Sequence, residues 1–524
     1  MGIYLNPGNE NFKEYISAPI YVDKTLMIDV VNKFMDESNK YLCVSRPRRF
    51  GKTITGDMLT AYYSKGCDSR DLFDRFQIAE RDSYQTKLNK YNVIKIDMNS
   101  EYQNADDKEV LLKNLSSKIK REIKMEFPEV EIEDNYSLGE SILEVYSRTK
   151  QTFVIIFDEY DILVREQVSE KLFNEYLGLL NGLFKSSTLR PAISLAYLTG
   201  ILPIVRDKVQ SKLNNFEEYT IIDAGKLAEY IGFTDEEVTK LCLKNKLSLD
   251  ECKLWYDGYR IKNQEVYNPE SVVKAITNGE FSGYWSKTSS YEAIADRIRQ
   301  NFKGTKEDVI KMLSGESVGL NITRFLNTMN SFVTKDDIFT YLIHLGYLAY
   351  NKEDKTCYIP NREVRQEWFN AIEGNADYEV TDEIIKSSEE LLASTISGDE
   401  DSVAKALDIS HIHVTSNRSY NNEDALQSAI YLAYIYALNE YTVIKEMTAG
   451  KGFADVVYIP VKINAPAMII ELKRNDSADS AIKQIKEKEY FDSLSHYSGD
   501  LLFVGINYDE KTKKHSCKIE KMQK

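Results

Sequence analysis

The chain has 524 residues, 43% of them hydrophobic and 28% charged, with a formal net charge of -15. This length calls for two to four domains of ordinary globular composition, and the acidic balance argues against a broad nucleic-acid-coating surface. No run of about 18 apolar residues marks a membrane span, the first ten residues lack the pattern of a secretory signal, and six cysteines without a CxxC pair read as reduced thiols of a cytoplasmic protein.

The N-terminal arm carries YVDKT at residues 21–25 and leads into an amphipathic helix near residues 26–35. A short apolar run then enters VSRPRRFGKT at residues 44–53, followed by a helix-compatible segment. Strand, tight loop and helix form the context of a phosphate-binding loop. Gly51 lets the backbone approach phosphate oxygens, Lys52 reaches the β- and γ-phosphates, and Thr53 holds magnesium. The usual loop has a glycine five residues before Gly51. Arg46 stands there instead, with Pro47, Arg48 and Arg49 filling the interval, so spacing alone gives a degraded match.

Residues 92–98 read as a buried parallel strand. Helices near residues 108–125 and 138–149 lead to FVIIFDEYD at residues 153–161. In NTPases such an apolar run is a central strand; its first acid, here Asp158, binds magnesium through water, and the second, Glu159, polarises the attacking water. A buried strand that merely stops at acids has the same appearance, but the GKT loop upstream favours the functional reading. Asp161 either joins the acidic cluster or starts the next helix. A helix at residues 170–184 precedes a strand at residues 192–198, whose tip bears Thr199. That hydroxyl either senses the γ-phosphate or belongs to a plain strand-end turn.

Residues 234–259 turn helical and end in an aromatic cluster that reads as packing. Residues 293–398 are mostly helical and polar. Within them, a helix at 336–348, a hairpin at 349–360 and a helix at 361–372 suggest a winged-helix-like module, and residues 389–401 read as a linker. His411 and His413 lack a third ligand and read as a surface strand.

The last segment reads α-β-β-β-α-β: a buried helix at 425–438 capped by Asn422, strands at 441–446, 453–459 and 467–473, a helix at 480–491 and a strand at 501–506. From Asp401 onward acidic and basic residues nearly cancel, so this end repels a polyanion least. Asp455 lies on the second strand, and Glu471 and Lys473 share one face of the third. Two hard oxygen ligands at one point suit magnesium or manganese, which activates water and clamps a scissile phosphate, while the lysine orients water or stabilises transition-state charge. Glu423, at the start of the preceding helix, offers an outer ligand. An ordinary strand-end Glu-x-Lys pair is the plainer alternative; the element order and Gln484, with Tyr490 six residues on, raise the functional one.

With these motifs in place, nearly the whole chain resembles the bacterial AAA-ATPase-like proteins that carry a C-terminal PD-(D/E)XK nuclease domain. The resemblance rests on YVDKT, RPRRFGKT, FDEYD, LTGILPI (198–204), WYDGYR (255–260), YNP (267–269), PNREVR (360–365), GKGFADVVYIP (450–460), IIELK (469–473) and AIKQIKEKEY (481–490). It makes Arg46 a family variant of the loop. It implies an α/β chain: a P-loop parallel-sheet ATPase domain (1–230), a helical lid or accessory region (231–292), the winged-helix-like middle module (293–398) and an αβββαβ restriction-endonuclease-like domain (399–524). It implies ATP and magnesium bound through Lys52, Thr53 and Asp158, with Glu159 activating water; Arg49, Phe50, Gly51 and Thr199 are the further candidates for the nucleotide site. It implies a nuclease site of Asp455, Glu471 and Lys473, with Glu423 as the helix acid and magnesium or manganese as the metal. Ala454 stands where the motif's name has proline. The expected activity is ATP hydrolysis coupled to cleavage of DNA or RNA by a cytoplasmic protein, as a monomer or homo-oligomer. The alternative is an ATP-switched nucleic-acid-binding, defence or remodelling module without nuclease turnover.

Overall fold

A computed structural model describes residues 2–204, 206–207, 210–211, 213–261, 264–285, 291–325, 332–373, 375, 378–415, 426, 430–449, 452–461, 465–490, 494, 497 and 499–522. The chain divides into two compact units. The first comprises Met1–Leu247, Asp257–Glu280 and Gly319–Cys357; the second comprises Ser248–Tyr256, Phe281–Val318 and Tyr358–Lys524.

The first unit is built on a five-stranded sheet of β1 (Tyr41–Ser45), β2 (Asn92–Asp97), β3 (Phe153–Asp158), β4 (Ile193–Gly200) and β5 (Glu217–Tyr219). The spatial order is β2-β3-β4-β1-β5, and every pairing is parallel. Strands buried on both faces read as continuous apolar runs, which is why β1 and β3 are legible as YLCVS and FVIIFD. Ile155, Phe157, Ala196 and Leu198 pack on one face against the helices Leu111–Glu126, Leu138–Thr149 and Glu170–Phe184. Ser137 and Glu140 form a capping box that starts the second of these helices. On the other face lies the helix Lys52–Tyr63, where Gly56 faces Ile156 and an added Cβ would meet its Cγ2 at an ordinary contact distance of 3.8 Å. Because β4 separates β1 from β3, the segments leaving those two strands flank the tip of β4. Crevices of this kind, outside the carboxyl ends of parallel strands, are where such sheets bind ligands.

The second unit holds a mixed sheet whose spatial order follows the sequence: β6 (Tyr441–Ala449), β7 (Gly452–Pro460), β8 (Ala467–Arg474), β9 (Leu501–Asp509) and β10 (Lys514–Met522). Only β8 and β9 are parallel, and the helix Ala478–Glu487 connects them. Met468, Ile470 and Leu472 face one core with Leu391, Leu392, Val403 and Leu407, while Ile469 faces a second core with Ile482 and Ile485.

Several expectations are corrected here. Residues 400–415 form one helix, so His411 and His413 are helical, not on a surface strand. Its apolar positions Val403 and Leu407 recur at i, i+4 and dock on the sheet, a tertiary demand that a two-histidine window does not reveal. The expected linker is a brief break between that helix and Glu379–Ser397, made by Gly398 in the left-handed conformation (φ 81°). β10 is a further edge strand, giving αβββαββ in place of αβββαβ; its charged, alternating sequence hides it. Of the helix expected at 425–438, residues 425 and 427–429 lie outside the described residues, residues 426 and 430–433 are helical, and its end, Ile435–Asn439, is a 3₁₀ turn. The hairpin near 349–360 is present as Ala349–Asn351 and Thr356–Tyr358. Among the described residues no helix is long and apolar enough to cross a membrane, and the six cysteines form no disulfide.

Ile155 on β3 is 1% exposed within the apolar core, whereas Met125 is 74% exposed. Ile155→Ala is expected to cost about 2–5 kcal/mol of stability, and Met125→Ala no more than about 0.5 kcal/mol, by urea denaturation of the full chain. Equal midpoints for the two variants would show that β3 is not the core strand it is taken to be.

Candidate functional site

The loop from Arg46 to Thr53 leaves β1 beside the tip of β4, where the Arg46 amide donates to the Gly200 carbonyl at 3.0 Å. The Arg46 side chain turns inward and is fully buried, donating to the carbonyls of Ser45 (2.8 Å) and Tyr219 (3.2 Å). Positive φ angles occur at Arg49 (71°) and Gly51 (89°), so the tight part of the loop lies after the prolyl residue, not at position 46. Arg49 meets Glu270 at 3.3 Å, and Phe50 packs edge-on against Tyr259, with ring centroids 5.3 Å apart. Gly51 is the N-cap of the helix Lys52–Tyr63, which directs free backbone N–H groups and the positive helix end at the loop.

Lys52 is buried; its Nζ donates to the Pro47 carbonyl at 3.0 Å and lies 3.9 Å from Glu159 Oε1. Burial pulls its pKa down, and the charges of Glu159 and Asp158 partly restore it. Asp158, at the end of β3, has its pKa pushed up to about 6 by burial and by the charge of Glu159, against a hydrogen bond from Thr53 and the charge of Lys52. Glu159 adopts φ 50°, a conformation a non-glycine residue holds only when its surroundings enforce it. Thr199 sits between the loop and these acids. Its carbonyl accepts from the Tyr160 amide at 3.0 Å, and its buried Oγ1 has no hydrogen-bond partner among the described residues.

The structure therefore gathers Lys52, Thr53, Asp158, Glu159 and Thr199 at one end of the sheet. Asp161 has a different place. It is fully buried, with its Oδ2 accepting from the amides of Ile201 (3.1 Å) and Leu202 (2.8 Å) and from Arg165 Nε (3.1 Å). Arg165, unnoticed in the sequence, also pairs with Glu159. A cavity of about 420 Å³ opens beside Gly51–Thr55, walled by Tyr15, Ile20, Tyr21 and Val22 of the arm, by Phe50 and Met58, and by Tyr230, Phe233 and Val273. Lys24 ties the arm to the far wall through the Glu229 carbonyl (2.7 Å) and Glu237 (2.6 Å). The YVDKT motif was the available signal for this wall; nothing in the sequence alone linked it to the loop.

The second site lies in the other unit. β7 and β8 pair with Val456 opposite Ile470, and continuing that register by one residue sets Asp455 opposite Glu471. Asp455 Oδ2 accepts from the Leu472 amide at 2.7 Å. Lys473 Nζ donates to Glu471 Oε1 (3.2 Å) and to Gln484 Oε1 (2.6 Å). Gln484 Nε2 donates to Glu471 and lies 3.1 Å from the Tyr490 hydroxyl. The helix carrying Gln484 comes this close because residue 505, beside Glu471 on β9, is glycine: a Cβ there would lie 2.3 Å from the Ala478 carbonyl. Burial, followed by the charge of Asp455, pushes the Glu471 pKa up to about 7, with Lys473 opposing.

The donor set fits a hard divalent cation. Two carboxylates meet, and Glu471 Oε2 is buried without a hydrogen-bond partner among the described residues. Among the described residues no group of three or more His, Cys, Asp and Glu side chains is placed to hold a metal ion, and Glu423 lies outside them.

Comparison with known proteins matches these sites to two families. Residues 7–210 match the model for predicted AAA-ATPases, and residues 421–517 match that for the PD-(D/E)XK nuclease superfamily. An uncharacterised protein from the vnfD 5′ region of Azotobacter chroococcum mcd 1 is 24% identical over 327 residues, a match spanning 60% of this chain and 60% of that protein's length. Among solved structures, the Walker-type ATPase PABY2304 of Pyrococcus abyssi is 15% identical, with 65% of this chain and 95% of that one covered and a TM-score of 0.33. Cdc6p from Pyrobaculum aerophilum is 11% identical, with 71% and 99% covered and a TM-score of 0.25. These structural likenesses are too distant to add to the assignment. The family matches, falling on the two sites just described, show that the chain joins an AAA-ATPase-like domain to a C-terminal PD-(D/E)XK nuclease superfamily domain.

Proposed function

We propose that the chain hydrolyses ATP at the first site and cleaves phosphodiester bonds of DNA or RNA at the second, with nucleotide state controlling cleavage. The observation that carries the nuclease half is Glu471: a buried carboxylate with one oxygen unpartnered, opposite Asp455 and beside a fixed lysine.

At the first site the loop amides and Lys52 would bind the phosphates, Thr53 and Asp158 would hold magnesium, and Thr199 would hydrogen-bond the terminal phosphate. The adjoining cavity takes the base against its apolar wall. Glu159 accepts a proton from the attacking water. At the second site Asp455 and Glu471 would hold the cation, with Glu423 as a further ligand. When bound, the cation supplies a water of lowered pKa and a clamp on the phosphate. Lys473, held on Glu471 and Gln484, would donate to the charge that builds on the phosphate oxygens. Gln484 keeps Glu471 and Lys473 in register, since its amide serves one with a donor and the other with an acceptor.

Only two described carboxylates meet at this site, which favours a second reading. In that reading the C-terminal domain binds nucleic acid under nucleotide control without cutting it.

Purified full-length protein incubated with manganese or magnesium, with and without ATP, on single- and double-stranded DNA and RNA separates the two. Cleavage that Asp455→Ala abolishes and that Lys473→Ala slows about 100- to 1000-fold supports the nuclease. Binding without cleavage, identical in wild type and Asp455→Ala, leaves the second reading. Lys52→Ala is expected to remove the ATP dependence in either case.

Glu471 gives a pH signature. In the fold it keeps its proton up to about pH 7, whereas the unfolded chain releases it near the ordinary value of 4.5. The native state therefore binds more protons across that window, and the stability of the metal-free protein falls as pH rises from 4.5 to about 7. Glu471 would have to lose the same proton to hold manganese, so manganese affinity is expected to weaken as pH drops below about 7. Thermal unfolding and calorimetry of wild type and Glu471→Gln check both trends. A pH-independent manganese affinity in wild type would remove Glu471 from the metal site.

A further inference from the structure

Glu159 is held in an unusual way. It follows β3 at φ 50°, and its two carboxylate oxygens have different neighbours. Oε2 pairs with Arg165 Nη2, while Oε1 lies 3.9 Å from Lys52 Nζ. Arg165 is not a free surface cation; its side chain is 9% exposed, and its Nε is fixed at 3.1 Å to Asp161 Oδ2. That same Asp161 oxygen accepts from the amides of Ile201 and Leu202, in the turn immediately after Thr199 and Gly200. One planar guanidinium thus spans two carboxylates, one sealed into the strand-end turn and one bordering the nucleotide loop. Arginine suits this because its fork fixes both partners in a plane, which a lysine ammonium cannot do.

We infer that Arg165 is the positioning residue for Glu159. It anchors one oxygen of the carboxylate to the Asp161 turn and leaves the other directed to the Lys52 side, where a phosphate and its attacking water would lie. Ligand-orienting partners work this way elsewhere: a group that fixes one atom of an acid or base decides what the other can reach. The arrangement also ties Thr199 to Glu159, because Asp161 holds the turn at the tip of β4 and the arginine at once. The inference rests on the reading of Glu159 as the water-activating residue.

The test uses the full-length chain with single-turnover ATP hydrolysis and binding of a fluorescent ATP analogue. Arg165→Ala is expected to lower the hydrolysis rate constant about 10- to 100-fold while KM and nucleotide affinity stay at wild-type values. Arg165→Lys, which keeps the charge without the fork, should recover part of the loss and stands in should the alanine variant fail to fold. Glu159→Gln combined with Arg165→Ala should be no slower than Glu159→Gln alone, since residues acting through one another do not add. Losses that multiply in the double variant would overturn the proposal, as would an Arg165 variant with wild-type turnover or with nucleotide binding weakened as much as turnover. Wild-type protein that binds nucleotide and never hydrolyses it would overturn the reading of Glu159 and the role of Arg165 together.

Discussion

One buried carboxylate holds the end of the parallel sheet in place. Asp161 has no exposure to solvent, and a charge taken that far from water must be compensated by hydrogen bonds and an opposite charge. Its Oδ2 meets that demand with two backbone amides of the turn after β4 and with Arg165, while Oδ1 is buried without a hydrogen-bond partner among the described residues. The packing is so close that a Cβ on Gly200 would come within 2.4 Å of Asp161 Oδ1. The Tyr160 hydroxyl on the Leu202 carbonyl adds a further tie between the turns after β3 and β4, and the Tyr176 hydroxyl on the Tyr160 carbonyl fastens the helix Glu170–Phe184 to the first of them. Together these bonds enforce the strained backbone at Glu159 and set Asp158 and Thr199 at a common level.

The two sites use the same electrostatic device on unrelated sheets. In each, an acid leaves the end or interior of an apolar strand, is desolvated, and has a second acid nearby. Both effects disfavour the charged form, so Asp158 rises to about 6 and Glu471 to about 7. In each, a lysine close by opposes the shift. Such pairs of perturbed acid and adjacent lysine cluster at functional sites, because a group that resists ionisation alone is poised to give up its proton to a cation. Parallel pairing delivers the acids at the first site. At the second, the β7–β8 register and a glycine that admits the neighbouring helix deliver them.

Much of this was legible in the sequence, because it depends on local runs. β1, β3 and β4 announce themselves as apolar stretches, and Asp158, Glu159, Lys52 and Thr53 follow from position relative to them. Asp455, Glu471 and Lys473 follow from strand periodicity and from the spacing of two. What was not legible depends on pairing across distance. Arg165 lies on a short helix, and nothing in its neighbours says that it reaches back to Glu159 and Asp161. The cavity wall joins residues 15–22 to residues 230–273, a juxtaposition set by tertiary packing. β10 pairs along its whole length with β9, yet its own sequence is lysine-rich and lacks an apolar run. The helix through His411 and His413 likewise owes its form to docking on the sheet.

Arg46 shows how the loop dispenses with its usual first glycine. Glycine is needed where the chain takes a positive φ or where backbone must approach a ligand. Here the positive φ angles fall at Arg49 and Gly51, so position 46 is free to carry a side chain. That side chain extends the sheet: the last β1–β5 pair is Val44 with Tyr219, and the Arg46 guanidinium bonds the Tyr219 carbonyl just beyond it. Burial lowers its pKa only to about 10, which leaves it charged at neutral pH. Its Nε and Nη2 have no partner among the described residues. A permanent cation held in low dielectric adds to the field that an anion meets at Gly51 and Lys52. Exchanging glycine for arginine at this position therefore replaces backbone freedom with a cross-strand clamp and a fixed positive charge, both of which suit a loop that holds phosphate.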